Sequence, residues 1–135
     1  MIVKTFEEIH NQYPFLFMHS VDDTFKCGVG WARIIFEMCA AISSCSLVED
    51  IKDFKIISIN NLHGTLSIEY ESGSETVFEI IRFTEKMSYK LCENCGTKAE
   101  LYCDSKFLHW SHKKTLCAKH ALKLYYYSIP NNKGK

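Results

Sequence analysis

The sequence predicts an α+β protein: a two-stranded or slightly larger antiparallel sheet packed with helices, plus a C-terminal treble-clef-like zinc module. Apolar residues recur at helical spacing before two β-type segments, and paired Cys and His motifs follow. At 135 residues with 47% apolar residues, the chain fits one domain with a small appendage. We expect an α+β body at 1–90, the zinc module at 91–128 and a flexible tail at 129–135.

Three helices are predicted in the body. Thr5-Phe6-Glu7-Glu8 has the form of a capping box, which predicts a short helix ending near Gln12, before Pro14. The second helix follows Gly28-Val29-Gly30 and ends at Ser43-Ser44. Its apolar face is formed by Trp31, Ile34, Ile35, Met38 and Ile42. The third begins at Glu75, and its face is formed by Val77, Ile80, Ile81, Thr84 and Met87.

Two strands are predicted between the second and third helices. They are Phe54–Asn60 and Gly64–Tyr70, joined by a tight connection at 61–63. The second strand alternates in polarity, with Leu66, Ile68 and Tyr70 expected to point inward. The sequence therefore predicts a hairpin with one buried face.

Two Cys and His pairs indicate a metal site near the C-terminus. Cys92 and Cys95 are separated by two residues and followed by Gly96, a spacing that lets two thiolates from one turn reach the same ion. Cys117 and His120 would lie on one face of the first turn of a last helix, for which Thr115 is a plausible N-cap. In a chain without signs of export, clustered cysteines indicate metal binding more often than disulfides.

The residues between the two pairs complete the predicted zinc module. Alternation in 97–108 predicts a short hairpin, and a turn, a hairpin and a ligating helix form the treble-clef arrangement. The prediction is a closed, tetrahedral, structural Zn²⁺ site with Cys92, Cys95, Cys117 and His120 as ligands. Three residues remain as alternative ligands: Cys103, His109 and His112.

Charge is divided between the two parts of a chain whose net charge is zero. Residues 1–95 contain 8 basic and 14 acidic residues, whereas residues 96–135 contain 8 lysines and 2 acidic residues. Three thiolates around Zn²⁺ leave one excess negative charge. Four lysines close in sequence could offset it: Lys98, Lys113, Lys114 and Lys119.

The sequence does not predict an enzyme. It contains no complete phosphate-binding loop, no Gly-x-Ser-x-Gly and no His-Glu-x-x-His. A metal-dependent nuclease is the remaining catalytic alternative, with His109 and His112 as its candidate residues. No signal peptide and no apolar segment of spanning length is visible, so we expect a cytoplasmic protein.

Several motifs along the chain resemble those of small uncharacterised phage and prophage proteins. They are Gly28-Val29-Gly30-Trp31, Gly64-Thr65-Leu66 with Tyr70, Cys92-Glu93-Asn94-Cys95-Gly96, and Trp110 with Thr115-Leu116-Cys117-Ala118-Lys119-His120-Ala121. The group usually has Asp where this chain has Val29, and Lys-Phe-Gly where it has Leu62-His63-Gly64. The resemblance implies a phage-associated origin, the host cytoplasm as location, and a role against a host process such as defence.

Two binding functions follow as hypotheses. The first is a zinc-stabilised accessory protein that binds a host or phage protein, because Tyr and Trp are enriched at interface hot spots. The residues expected at this interface are Trp110, Lys113, Lys114, Tyr126 and Tyr127. The alternative is nucleic-acid binding through the basic C-terminal third, although 96–135 contains no Arg. No small-molecule substrate and no membrane partner is indicated.

Overall fold

The computed structural model describes residues 5–103, 113–123 and 127–128. The helices in these ranges are α1 (Phe6–Gln12), α2 (Val21–Thr24), α3 (Ala32–Cys45), α4 (Glu75–Met87) and α5 (Ala118–Lys123). The strands are β1 (Phe25–Lys26), β2 (Lys55–Leu62), β3 (Thr65–Glu71), β4 (Glu100–Cys103), β5 (Lys113–Leu116) and β6 (Tyr127–Ser128). Short 3₁₀ turns occupy Pro14–Leu16, Val29–Trp31 and Ser88–Lys90. The α+β class predicted from the sequence is confirmed.

The three predicted body helices are present, and two of them, α1 and α4, begin with a side-chain cap. The Thr5 side chain accepts a hydrogen bond from the Glu8 backbone N–H at 3.1 Å, while the Glu8 carboxylate accepts one from Thr5 N–H at 2.8 Å. This is the predicted capping box. Ser74 caps α4 through its own side chain, because its hydroxyl accepts from Val77 N–H at 3.3 Å.

The predicted hairpin is β2 and β3. Each strand begins one residue later than predicted, and β2 ends two residues later and β3 one residue later. Leu62 pairs with Thr65, so the turn is the dipeptide His63-Gly64 rather than 61–63. Both turn residues have positive φ, 54° and 93°, as the tight turns that match strand twist require. The Asn61 side-chain oxygen accepts from Gly64 N–H at 2.8 Å, which fixes the turn.

The first sheet has a third strand that the sequence pattern did not predict. β1 pairs with β2 in parallel, with Phe25 opposite Ile59, giving the order β1-β2-β3. The polar segment before it contains the short helix α2. The sheet is therefore mixed, with its antiparallel part formed by the predicted hairpin.

The main core lies between this sheet and helices α3 and α4. Trp31, in the turn that leads into α3, is fully buried, and the apolar residues along the predicted face of that helix are buried as well. From α4, Val77 and Ile81 are buried, and from β3 so are Leu66 and Ile68. None of the helices among the described residues combines the length and the apolar character needed to cross a bilayer.

A second, smaller core lies in the C-terminal part. It is formed by Cys92, Leu116 and Ala121, with Ala99, Tyr102 and Cys117 packed against it. β4 pairs with β5 and with β6, both antiparallel, so the partner strand of the hairpin is β5 and not a segment within 97–108. Residues 104–112, between β4 and β5, lie outside the described ranges.

Candidate metal centre

The first ligand pair lies on a tight turn that its own backbone closes. Cys92 N–H donates to the carbonyl of Thr97 at 2.7 Å, and Gly96 N–H donates to the carbonyl of Cys92 at 2.7 Å. Gly96 has φ of +81°, a conformation that a side chain would strain. The turn therefore brings Cys92 and Cys95 side by side, as the spacing predicted.

The second pair lies where β5 passes into α5. Cys117 follows β5 directly, and Ala121 N–H donates to its carbonyl at 2.9 Å in the first turn of the helix. The N-cap assignment of Thr115 is wrong, because Thr115 is part of β5 and its buried hydroxyl donates to the carbonyl of Gly64. The helix begins at Ala118, so Cys117 lies directly before its first turn and His120 lies within that turn.

The structure brings all four predicted ligands together. Their donor atoms lie within 4.8 Å of one another. Cys95 Sγ is 3.7 Å from Cys117 Sγ, and His120 Nδ1 is 3.6 Å from Cys92 Sγ and 3.2 Å from Cys117 Sγ. A tetrahedral ion with metal–sulfur bonds of about 2.3 Å holds its sulfurs about 3.8 Å apart. Four soft and borderline donors at this separation could hold a metal ion.

The pKa values of the Cys92 and Cys117 thiols are shifted in opposite directions. Burial raises the pKa of Cys92, while backbone N–H groups of Cys117, Cys95 and Asn94 that face its sulfur act in the opposite direction. The pKa of Cys117 is lowered to about 6, chiefly by the backbone N–H of His120 and further by the His120 and Thr97 side chains. These N–H groups are the ones that stabilise a thiolate, the form in which Cys binds metal.

The remaining residues predicted for the site or a partner surface are only partly described. Cys103 lies in β4 with its backbone paired to Lys113 of β5, and the side chains of both are outside the described part. Lys114 is half-buried in β5, and Tyr127 lies in β6. His109, Trp110, His112 and Tyr126 lie outside the described residues, so their predicted roles remain predictions.

The Gly-Val-Gly-Trp segment forms the seat on which the Cys92–Cys95 turn rests. Gly30 N–H donates to the carbonyl of Glu93 at 2.6 Å, and Trp31 Nε1–H donates to the carbonyl of Leu91 at 2.9 Å. A Cβ on Gly30 would lie 2.2 Å from the Cys92 carbonyl oxygen and 2.6 Å from Cys95 N. Only glycine permits this approach of two backbones.

Glu93, between the two cysteines, ties the turn to the body. Its side chain is only 4% exposed. One carboxylate oxygen accepts from Gly28 N–H at 3.1 Å and the other accepts from the Asn61 side-chain amide at 2.5 Å. A buried carboxylate with two donors is a satisfied one, so the charge is compatible with its position.

Sequence reasoning missed these supporting residues. It treated the glycines only as a break before α3 and gave Glu93 no role. One signal was available, namely the two glycines at 28 and 30, because glycine is the residue type that permits close approach of two backbones. The partner of that approach lies more than sixty residues away, so local patterns could not identify it.

A cavity of about 480 Å³ adjoins the centre. Cys95 and Gly96 form part of its wall from the turn, and Gly30 and Arg33 form part of it from the body. Cys95 is the exposed member of the four ligands, whereas Cys92 is fully buried.

Comparison of the chain with family models, with curated proteins and with solved structures gave no match.

Proposed function

We propose that the centre holds a structural Zn²⁺ ion in a treble-clef-like module. The observation that carries the proposal is the convergence of four protein donor atoms within 4.8 Å. Three thiolates and one imidazole in a tetrahedral arrangement are typical of zinc, because other common divalent ions prefer oxygen ligands or other geometries. The order of turn, β4–β5 pairing and ligating α5 supports the treble-clef-like description.

Zinc in this position would stabilise the body as well as the module. A structural zinc ion contributes on the order of 10 kcal/mol to folding, comparable to the whole net stability of a small domain. The turn that carries Cys92 and Cys95 also bonds to Gly28, Gly30 and Asn61 of the body. Loss of the ion is therefore expected to weaken the contacts within the module and also the contacts between the turn and the body.

Chelation tests the structural role. A strong chelator added to the purified protein should lower the thermal midpoint. It should also reduce the far-UV circular dichroism of the protein, because the C-terminal part loses structure, and added Zn²⁺ should restore both. The control is Cys45→Ser, which removes a cysteine outside the four and should leave the response to chelator unchanged. Unchanged dichroism and an unchanged thermal midpoint in a protein shown to have lost its ion would contradict the proposal.

The proposed role is binding rather than catalysis. Four protein ligands fill a tetrahedral shell, whereas catalytic zinc sites keep one position open for water or substrate. This supports a non-enzymatic protein in which zinc holds the fold.

We infer further that the protein acts as a small accessory protein that binds another protein. Support comes from an apolar cavity of about 360 Å³ between α3 and α4, lined partly by Ile80, Phe83 and Met87. Phe83 is 65% exposed and Met87 37%. Exposed apolar surface of this kind is common at interaction sites. A host or phage protein as the partner, and inhibition of a host process such as defence, rest on the resemblance alone.

Paired variants test the binding role. Phe83→Asp should abolish capture of a partner from bacterial lysate, whereas Leu47→Asp, at a position 85% exposed and away from the α3–α4 cavity, should not. Capture that survives both changes would place the interface elsewhere.

A gel shift with duplex and single-stranded nucleic acid that weakens steeply with salt would instead favour the nucleic-acid alternative.

A further inference from the structure

The four candidate ligands differ in how far solvent reaches them. Cys92 is fully buried, and Cys117 and His120 are partly covered, but Cys95 is exposed. A buried sulfur is protected from reagents in solution, and reactivity of a thiolate follows its exposure. Cys95 is therefore open to attack by reagents in solution, while Cys92 is shielded from them.

The cavity beside the centre gives small molecules a place next to Cys95. Its volume of about 480 Å³ lies within the range of small-molecule pockets. Its wall includes Val29, Gly30 and Arg33 on one side and Asn94, Cys95 and Gly96 on the other. A molecule in the cavity would therefore contact one metal ligand and leave Cys92, outside its wall, untouched.

A second sulfur lies within reach of Cys95. Cys117 Sγ is 3.7 Å away, and a disulfide bond would bring the two sulfurs to about 2.05 Å. Cys92 faces three backbone N–H groups and is enclosed by the second core, so its sulfur is less free to move. By contrast, Cys95 Sγ is hydrogen-bonded to the side-chain hydroxyl of Thr97, at 3.1 Å.

We propose that Cys95 is a modification site for small hydroperoxides, whose attack closes a Cys95–Cys117 disulfide and releases the metal ion. The proposal rests on the proposed function, since it requires a metal-bound centre. In the first step the Cys95 sulfur attacks the distal oxygen of the peroxide. The O–O bond breaks, the sulfur is oxidised to sulfenic acid, and the leaving hydroxide or alkoxide takes up a proton.

The second step joins the two cysteines. The Cys117 thiolate attacks Cys95 Sγ, the S–O bond breaks, and hydroxide leaves and is protonated to water. In total one peroxide is reduced and two thiolates are oxidised to one disulfide. Only Cys92 and His120 would then remain as donors, and the affinity of the site for a metal ion would fall because a disulfide sulfur is not a thiolate donor.

Hydrogen peroxide tests the proposal on the intact protein. The ion content is measured first, and peroxide is then added in the presence of a chromogenic zinc chelator. We expect ion release to follow disulfide formation, and peptide mass mapping to locate the disulfide at Cys95–Cys117. A Cys92–Cys95 disulfide, or peroxide consumed without ion release, would overturn the proposal.

Matched variants test the route through the cavity. Val29→Phe, at a 52% exposed position on the cavity wall, should slow ion release about threefold by restricting access. Val48→Phe, at an 85% exposed position outside that wall, should leave the rate unchanged. Equal rates in both variants and the wild type would count against the cavity as the route.

Alkylation gives an independent readout on the unmodified chain. Under brief treatment of the zinc-loaded protein with N-ethylmaleimide, Cys95 should be labelled before Cys92 and Cys39, and the reverse order would contradict the proposal. Failure is separable from failure of the proposed function. A protein that contains no ion before peroxide is added refutes the zinc centre, whereas an ion-loaded protein whose Cys95 is not attacked refutes this inference alone.

Discussion

Glu93 is the residue that joins the Cys92–Cys95 turn to the body. It is buried, and its two oxygens accept from Gly28 N–H and from the Asn61 side chain. A hydrogen bond to a charged group contributes more than one between neutral groups, and a buried donor left without a partner is costly. The contribution of Glu93 is therefore expected to exceed that of an ordinary surface carboxylate.

Replacing Glu93 by Gln tests this contribution. The amide keeps the size of the side chain but removes the charge and places an NH₂ group against one of two donors. We expect the free energy of unfolding of the zinc-loaded protein to fall by about 1–3 kcal/mol. Urea denaturation measures it, and Glu79→Gln, at an exposed carboxylate, should change it by less than about 0.5 kcal/mol. Equal small effects in both variants would show that Glu93 is not a stabilising link.

Gly30 packs directly against the backbone of the Cys92–Cys95 turn. In Gly30→Ala, the new Cβ would meet the carbonyl oxygen of Cys92 and the backbone N of Cys95, neither of which can turn away as a side chain would. We expect a loss of at least about 2 kcal/mol in the free energy of unfolding, together with weaker zinc binding in a competition assay. The neighbouring Val29→Ala, at a half-exposed position, should bind zinc as the wild type does. Unimpaired zinc binding by Gly30→Ala would show that the seat is not needed.

At the element scale, α3 contains a cysteine that the centre does not use. Cys39 is fully buried on the core face of the helix, and burial raises its pKa to about 12 from an ordinary value of 9.0. The unfolded chain therefore loses this proton at lower pH than the folded protein. The resulting stabilisation is fully present below pH 9 and is lost as pH rises from about 9 towards 12.

Cys39→Ala isolates this pH dependence. The variant should be less stable at pH 7, because it leaves a small cavity, yet its stability should decline less steeply than that of the wild type above pH 9. Chemical denaturation at pH 8, 9 and 10 measures the slope. Identical slopes in variant and wild type would show that the Cys39 thiol titrates equally in both states.

The elements that the sequence predicted best are those encoded by local pattern. The faces of α3 and α4 and the alternation in β3 are periodic over many residues, and the capping box of α1 lies within four residues. By contrast, β1 is two residues long and pairs with a strand more than thirty positions away. Thr is a residue type that is common at N-caps, but Thr115 pairs with β4 and therefore lies in a strand. Tertiary pairing overrides local propensity at such short segments.

At the scale of the whole molecule, the described residues form two cores of unequal size. The larger lies between the mixed sheet and α3 and α4, and the smaller lies around Cys92, Leu116 and Ala121. The smaller core contains few residues, and a core of that size rarely supplies enough stability by itself. The proposed metal ion at its edge, together with the hydrogen bonds from Glu93 and Thr115 to the body, would stabilise the described residues of the C-terminal part.

The four donor residues could be predicted from spacing because each pair lies within one turn of chain. The structure adds what spacing cannot encode: that the two pairs converge, and that the glycine seat and the Glu93 carboxylate hold the first pair in place. Those contacts join residues far apart in sequence. They join the Gly-x-Gly-Trp segment to the Cys-Glu-x-Cys-Gly segment.

The most direct test of the metal centre is X-ray absorption at the zinc edge on the protein as purified. The spectrum should show one zinc shell with three sulfurs at about 2.3 Å and one nitrogen at about 2.0–2.1 Å. A protein without zinc, or a zinc shell dominated by oxygen, would contradict the assignment of Cys92, Cys95, Cys117 and His120 as its ligands.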